Sequence, residues 1–492
     1  MVEETMDRAA FQVIVLGPTG GPKEDAVTGL LVRSTSRNWS RSSVVAVDAG
    51  TLLAGIVRIL DQTLTTDKDG KAAVENGPFM GLQPPHKTAQ ANAAYIFREV
   101  IASVLITHPH LDHLSGLAIN TPIVEASNGP KTVAGLPSAI SAMKNHMFND
   151  IIWPNLSDED GGAGLITYQR LVEGGNPRFG RGDSRGYVRA CEGLFTKCLS
   201  SDGNIYSPVR SPHLASNLAA TPSKDTTNWG VVESSAFFIQ DEHSGNEIII
   251  FGDIEPDSVS LEPRNKRVWE IAAPKIASGS LRAIFIECSY NDAIDDETLY
   301  GHLCPRHLIA ELKVLAAKVV EARSLPLEQE QQQHEQRRRG RSSKRKRRDS
   351  DAQVSPHSNR QFTTHLAKPQ DSIERSTQTP KGNNHNSKDD AVMTDHHSGQ
   401  IQIENNAIDG DEVNDNDNKA EESDCFQTES DMQWTGPPPL AGFKVYIIHI
   451  KDTLADGPHP SERILEELRS QSDDVGLGCE FHVPYQGEGI FI

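Results

Sequence analysis

Residues 108–113 carry the densest chemistry in the chain. The string Thr107-His108-Pro109-His110-Leu111-Asp112-His113 holds three histidines and one aspartate. Imidazole nitrogen and carboxylate oxygen are the donors that zinc and other borderline divalent metals take. His108 and His110 stand two apart, so an extended loop points them the same way. Asp112 and His113 then fall on the following turn. Four donors at this spacing can serve two adjacent metals, two donors each. A capped strand-to-helix turn is the bland alternative, but a cap needs one such side chain and not four.

Two metals need further ligands, and strand ends are where to find them. Phe251-Gly252-Asp253 follows the apolar run ending at Ile250, and an aspartate there can bridge two metals. On its own it would read as an ordinary turn residue. Ile447-Ile448-His449 puts another histidine at a strand end, with a packed core histidine as the alternative. His213, in Ser211-Pro212-His213, lies on the path between the first motif and Asp253 and would otherwise be a surface-loop residue. His302, in Tyr300-Gly301-His302-Leu303-Cys304-Pro305, precedes a helix and suits either a ligand or a general acid, since imidazole donates protons near neutrality. Glu287 ends the preceding strand, as an orienting partner for His302 or as a surface carboxylate.

Other candidates read as structural. The loop from Gly17 to Pro22 has neither GxGxxG spacing nor a P-loop lysine, so it is a tight turn near the site and not a phosphate cradle. Asp48-Ala49-Gly50-Thr51 reads as a strand-end turn beside it. Cys288 and Cys304 read as packing residues. The six histidines from His334 to His397 sit in polar sequence and read as solvated.

The elements that must position these groups alternate between strands and helices. Phe11–Leu16, Gly29–Arg33 and Val44–Asp48 are strand-like runs. Ala91–Ser103 has helical spacing, and Val104–Thr107 is a short buried strand that delivers the histidine motif. A second strand set follows from about residue 230: a hairpin pair at Ser234–Gln240 and Glu247–Phe251, then Leu281–Glu287. Pro305–Ala322 reads as a helix, and the run from Phe443 to Ile450 holds the last strand.

Between residues 325 and 440 the composition changes. Phe362, Phe426 and Trp434 are the only aromatics there. So few apolar groups cannot offset about 1–2 kcal/mol of backbone entropy per residue, so a disordered insertion is expected. It would divide one catalytic domain into a first part, 1–324, and a last part, 441–492. The chain has 48 basic and 68 acidic residues, hence 48 − 68 = −20, and 37% hydrophobic residues. A net negative chain repels phosphate polymers and anionic membranes, so the folded part is not expected to bind nucleic acid. No apolar run approaches the ~20 residues needed to cross a bilayer, and no secretory signal is evident. Six scattered cysteines without a CxxC pair give no disulfide framework. A cytoplasmic protein is expected.

At the histidine motif the chain resembles the metallo-β-lactamase superfamily. The longer string from His108 through Asn120 to Pro122 resembles the class II cyclic-nucleotide phosphodiesterases, the low-affinity cyclic AMP phosphodiesterases of fungi and some protists and bacteria. Gly135–Ile140, Asn145–Leu156, Phe251–Asp257 and Gly301–Pro305 are similar to the same family. The resemblance implies an α/β fold, an αββα sandwich, with a centre of two Zn²⁺ or other divalent ions. It implies that His108, His110 and His213 hold the first metal and Asp112, His113 and His449 the second, with Asp253 bridging. His302 matches the histidine placed near the leaving group. Hydroxide generated between the metals would open cyclic AMP, and cyclic GMP as a second substrate, to the 5′-nucleotide. Asn120 and Trp153 are candidates for shaping the nucleotide pocket, with core packing the plainer reading for Trp153.

Two further readings compete. Another superfamily hydrolase, such as a tRNase Z-like nuclease, would need a basic exosite that the folded part lacks. A scaffold could act through the basic run from Arg337 to Arg348, which fits a nuclear-import signal read by an import receptor, a nucleic-acid patch or a solvated linker. A nuclear location would follow from the first of these. The resemblance is also compatible with a homodimer.

Overall fold

Strands buried on both faces set the architecture. Every residue of Phe11–Gly17 (β1), Gly29–Ser34 (β2) and Val44–Ala49 (β3) is buried. Side chains alternate across a strand, so such strands need apolar partners on two sides. Val13 and Val15 enter one core, and Ile14 and Leu16 enter another. The structure is a computed structural model and describes residues 9–66, 70–126, 129–180, 182–202, 207–208, 229–230, 232–260, 262–324, 434 and 436–492.

The first sheet continues with Ile101–Leu105 (β4), Lys131–Gly135 (β5) and Ile166–Arg170 (β6). The second is built from Val188–Cys191 (β7), Leu194–Asp202 (β8), Glu233–Asp241 (β9), Glu247–Phe251 (β10), Leu281–Glu287 (β11), Lys444–Ile448 (β12) and Glu480–His482 (β13). Gly489–Phe491 (β14) returns to edge the first sheet. The strand orders are β14-β1-β2-β3-β4-β5-β6 and β13-β12-β11-β10-β9-β8-β7. Counted from β14, the first sheet has three antiparallel pairings and then three parallel ones. Counted from β7, the second has the same sequence of pairings. The first parallel pair is β3/β4 in one sheet and β10/β11 in the other.

Three cores make the layers. Val13, Val15, Val45 and Val47 meet Phe237, Ile239, Ile248, Ile250 and Phe285 between the sheets. Outside the first sheet lie the helices Leu53–Thr63 (α1) and Leu111–Asn120 (α2), through Ile56, Leu60, Leu114 and Leu117. Outside the second lie Asn265–Ala277 (α3), the helix 305–324 (α4) and Pro460–Val475 (α5), through Trp269, Leu312 and Leu468. The αββα sandwich is therefore present. Among the described residues no helix is long and apolar enough to cross a membrane.

Some elements differ from expectation. The helical stretch after Ala89 ends at Val100, and Ile101–Leu105 is strand because it pairs in parallel with Val44–Val47. The second sheet begins at Val188 and not near residue 230. Its strand β8, LFTKCLSSD, is too polar for a hydrophobic pattern to single out, and is held by a nine-residue register with β9. The expected insertion falls outside the described residues from 325 to 433. Trp434 and Leu440, which the sequence reading left within it, pack on the outer core of the second sheet. Compactness separates Met1–Arg337 with Ser430–Ile492 from Arg338–Glu429.

The helix α2 lies directly on the end of β3 through glycines. Gly116 donates its N–H to the Gly50 carbonyl at 3.1 Å. A Cβ at Gly116 would come within 2.6 Å of that oxygen and 2.7 Å of the Ala49 oxygen. Both obstacles are backbone, so a shift of the helix is the only relief. Gly116→Ala is expected to cost about 1–3 kcal/mol of stability, the usual penalty of overpacking. A urea unfolding midpoint equal to wild type would contradict this contact.

Candidate active site

The carboxyl ends of the first parallel pairs converge, which is where open α/β sheets place their ligands. At the end of β3 the chain turns left-handed at Asp48, φ 54°. This conformation is tolerated by aspartate and costly for most other residues. It turns a buried carboxylate towards the first residues after β4. Asp48 Oδ1 accepts the Thr107 N–H at 2.8 Å, and Oδ2 accepts the Thr107 hydroxyl at 2.8 Å. Oδ2 also lies 2.8 Å from Nδ1 of His113.

These bonds fix two imidazole tautomers. A carboxylate only accepts, so His113 carries a proton on Nδ1 and, as the neutral imidazole, leaves Nε2 bare. The Thr107 hydroxyl gives its proton to Asp48 and therefore accepts from His108 Nδ1, 3.1 Å away. His108 Nε2 is then bare as well. Orienting a ligand histidine through its second ring nitrogen is the usual outer-sphere arrangement of metal centres.

The bare nitrogens face other electron pairs. His108 Nε2 is 2.8 Å from His110 Nδ1 and 3.4 Å from Asp253 Oδ2. His113 Nε2 is 3.0 Å from His449 Nε2 and 3.1 Å from Asp253 Oδ1. His449 Nε2 is 3.1 Å from Asp112 Oδ2 and 3.2 Å from Asp253 Oδ1. Asp253 Oδ1 is buried and has no hydrogen-bond partner. Buried acceptors without donors are rare in native proteins, and here they point at one another. Positive charge between them resolves the conflict, and the nitrogen and oxygen donors suit a borderline divalent ion. His108 and His110 gather about Oδ2 of Asp253. His113 and His449 gather about Oδ1, and Asp112 adjoins these two imidazoles. Three overlapping sets of donors, His108 with His113 and Asp253, Asp112 with His113 and His449, and Asp253 with His302 and His449, each lie within 4.8 Å, so the cluster suits divalent metal.

The electrostatics agree. Burial, reinforced by neighbouring His113, pushes His108 down to about 4, so it is neutral at pH 7. Burial opposes charge on His113, yet Asp253 and Asp48 outweigh it and hold its pKa well above the usual value. Burial likewise opposes ionisation of Asp253, but His449, His108, His113 and His302 hold it well below the carboxylate range. Asp112 is lowered against its burial by the hydrogen bond with His449. A cluster that so favours protons among its donors favours a divalent cation in the same place.

His302 stands beside this cluster. Tyr300 and Gly301 are both left-handed and turn the chain so that the imidazole is buried against Glu287. Its Nδ1 is 3.0 Å from Glu287 Oε1 and 3.8 Å from Asp253 Oδ2. Glu287 Oε1 also accepts the Ile254 N–H at 2.7 Å. Burial alone would lower the His302 pKa, but Glu287 and Asp253 raise it.

Of the residues singled out from sequence, His108, His110, Asp112, His113, Asp253, His302 and His449 come together. His213 lies outside the described residues. Asn120 ends α2, and its Oδ1 accepts the Leu53 N–H at 3.1 Å, so that oxygen is engaged by the start of α1. Trp153 packs on the outer core of the first sheet. The turn from Gly17 to Pro22 seats His449, whose N–H donates to Pro18 O at 2.7 Å. A Cβ at Gly20 would lie 2.5 Å from the His449 ring, so only glycine fits. Asp48 and Thr107 are the site residues that the sequence reading missed. The one available signal was an aspartate closing a buried strand ahead of Ala-Gly, which is also how a plain turn looks.

Comparison with known proteins agrees with the geometry. Residues 11–178 and 193–329 match the family described as cAMP phosphodiesterases class-II. The chain is 29% identical over 317 residues to a 3′,5′-cyclic-nucleotide phosphodiesterase of Schizosaccharomyces pombe, covering 63% of this chain and 76% of that one. It is 28% identical to 3′,5′-cyclic-nucleotide phosphodiesterase 1 of Saccharomyces cerevisiae, covering 62% and 82%. The crystal structure of unliganded yeast PDE1 superposes with a TM-score of 0.59 at 20% identity, covering 98% of this chain and all of that one, a likeness of fold.

The Asp48 contacts generate a prediction. Asp48→Asn keeps the shape and tolerates the left-handed turn, but its amide N–H₂ would face either His113 Nδ1 or the Thr107 N–H. Metal affinity is expected to fall about 10–100-fold, the usual cost of losing an outer partner. Zinc titration against a chelating dye measures it, with circular dichroism to show that the fold is kept. Unchanged affinity would remove Asp48 from the site.

Proposed function

The chain belongs to the class-II cyclic AMP phosphodiesterases, and from that premise we propose that it hydrolyses 3′,5′-cyclic AMP to 5′-AMP at a pair of zinc ions. The observation that carries the reading is the convergence of bare imidazole nitrogens on the two oxygens of Asp253, beside a carboxylate-held His302. His108 and His110, completed by His213, are assigned to one ion. Asp112, His113 and His449 are assigned to the other, and Asp253 to both. When bound, such a pair supplies hydroxide near neutral pH and charge to stabilise the transferring phosphoryl group.

The chain's own groups do the rest. A cyclic phosphodiester carries one negative charge and would be drawn to this site ahead of neutral molecules. Hydroxide oxygen bonds to phosphorus as the bond from phosphorus to O3′ breaks, so the only proton the step needs is the one for O3′. The departing O3′ is a poor leaving group unless it takes a proton. As an imidazolium, which Glu287 and Asp253 favour against burial, His302 can give it from Nε2 while its Nδ1–H stays on Glu287. Burial of Asp253, His302 and His449 keeps bulk water from competing for that proton. The base pocket is not defined by these groups, so cyclic GMP is proposed as a second substrate of the same step.

One assay tests both parts of this reading. Wild-type protein is expected to convert 3′,5′-cyclic AMP into 5′-AMP, and Asp112→Ala or chelator-treated protein is not. His302→Gln should lower cyclic AMP turnover by about 10²–10⁴-fold, the range for a lost general acid. It should slow a nitrophenyl phosphodiester far less, since nitrophenolate leaves without a proton. Metal-loaded wild type that leaves both cyclic nucleotides intact would sink the substrate assignment. An equal loss on both leaving groups would sink the role of His302.

A further inference from the structure

Glu287 holds more than His302. Its second oxygen, Oε2, is 2.5 Å from the hydroxyl of Ser289. That hydroxyl lies 3.1 Å from Nδ1 of His449 and 2.9 Å from the carbonyl oxygen of the same residue. Ser289, Glu287 and His449 are all buried. The Ser289 backbone is pinned from both sides, its N–H donating to Leu303 O at 3.0 Å and its carbonyl accepting from Lys451 N at 3.1 Å.

A hydroxyl has one proton and two acceptor sites. Glu287 Oε2 and the His449 carbonyl can only accept. The ionised carboxylate, at the shorter distance, is the stronger acceptor. Whichever of the two takes the proton, the Ser289 oxygen turns a lone pair towards His449 Nδ1. His449 must then carry its proton on Nδ1, which leaves Nε2 bare, the atom that faces Asp112 and Asp253.

The first sheet contains the same device. There Asp48 holds His113 directly and His108 through the hydroxyl of Thr107. Here Glu287 holds His302 directly and His449 through the hydroxyl of Ser289. Each carboxylate closes a strand of the first parallel pair in its sheet, β3 in one and β11 in the other.

We propose that Ser289 is a positioning residue that relays the Glu287 carboxylate to His449 and so prepares the second cation-binding set for a divalent ion. One carboxylate thereby sets both the proton donor and a metal ligand. The inference rests on the reading of His449 as a ligand, and the test separates the two.

The full-length protein would be prepared as wild type, Ser289→Ala, Ser289→Cys, Ser289→Thr and His449→Ala. Zinc per chain is measured after dialysis against a graded series of zinc buffers, and kcat and KM for cyclic AMP are measured at each free zinc level. Ser289→Ala is expected to bind one ion normally and the other about 10–100-fold more weakly, as for other outer partners. Excess zinc should restore most of kcat with KM little changed. Ser289→Thr, which keeps the hydroxyl, should retain both ions. If Ser289→Ala does not fold, Ser289→Cys replaces it, with similar volume and a weak hydrogen-bonding group. A merely structural serine would weaken both ions together and would not be rescued by zinc, and that result overturns the proposal. Two tightly held ions in both the alanine and cysteine variants, with one lost in His449→Ala, overturns the relay alone. Two tightly held ions in His449→Ala overturns the ligand reading and the relay with it.

Discussion

Electron pairs forced to face one another are the constraint on which this structure depends. His108 Nε2, His113 Nε2, His449 Nε2 and both oxygens of Asp253 lie about one hydrogen-bond length apart. At this burial, such an arrangement is tenable only with positive charge among the donors. Protons can supply part of it, and the shifted pKa values of His113 and Asp253 express that demand. Divalent ions, on the proposed reading, supply all of it. The surrounding fold has to hold the donors together against their own repulsion.

It does so with rigid parts. Two sheets with the same succession of antiparallel and parallel pairings meet across a shared core, and each delivers one carboxylate from a strand end. Asp48 and Glu287 point their oxygens at backbone N–H groups, at a hydroxyl and at an imidazole. A histidine bound in this way has little freedom of ring orientation or tautomer. Preorganisation of this kind is what lets a site act on developing charge without rearranging when the reaction occurs.

Close backbone approaches complete the frame. Gly50 and Gly116 let α2 sit against the end of β3, and so bring Asp112 and His113 to the site. Gly20 lets the first turn of the chain lie on the His449 ring. These glycines are remote from one another in sequence. Each removes a side chain at a point where two elements must touch for the donors to meet.

The sequence by itself determined the donor types and most of their identities. His108 to His113 cannot be mistaken for a turn, because four strong donors at adjacent positions have no structural purpose. Strand-end placement then picked out Asp253 and His449, and the residues ahead of a helix picked out His302; the strands read at Phe11–Leu16, Val44–Asp48 and Leu281–Glu287 were legible because largely apolar, β-branched runs mark burial. Pairing was not legible. Leu194–Asp202 is a strand because of its partner, and Ile101–Ser103 leaves a helical pattern for the same reason. Asp48 looked like a turn residue, Thr107 like the end of a buried strand, and Ser289 carried no signal, since local sequence says nothing about which distant imidazole a carboxylate or hydroxyl will reach. Asp48 is 65 positions from His113, and Ser289 is 160 from His449. Only the tertiary structure decided those contacts, because a hydrogen bond depends on ångströms and angles that two sheets fix together.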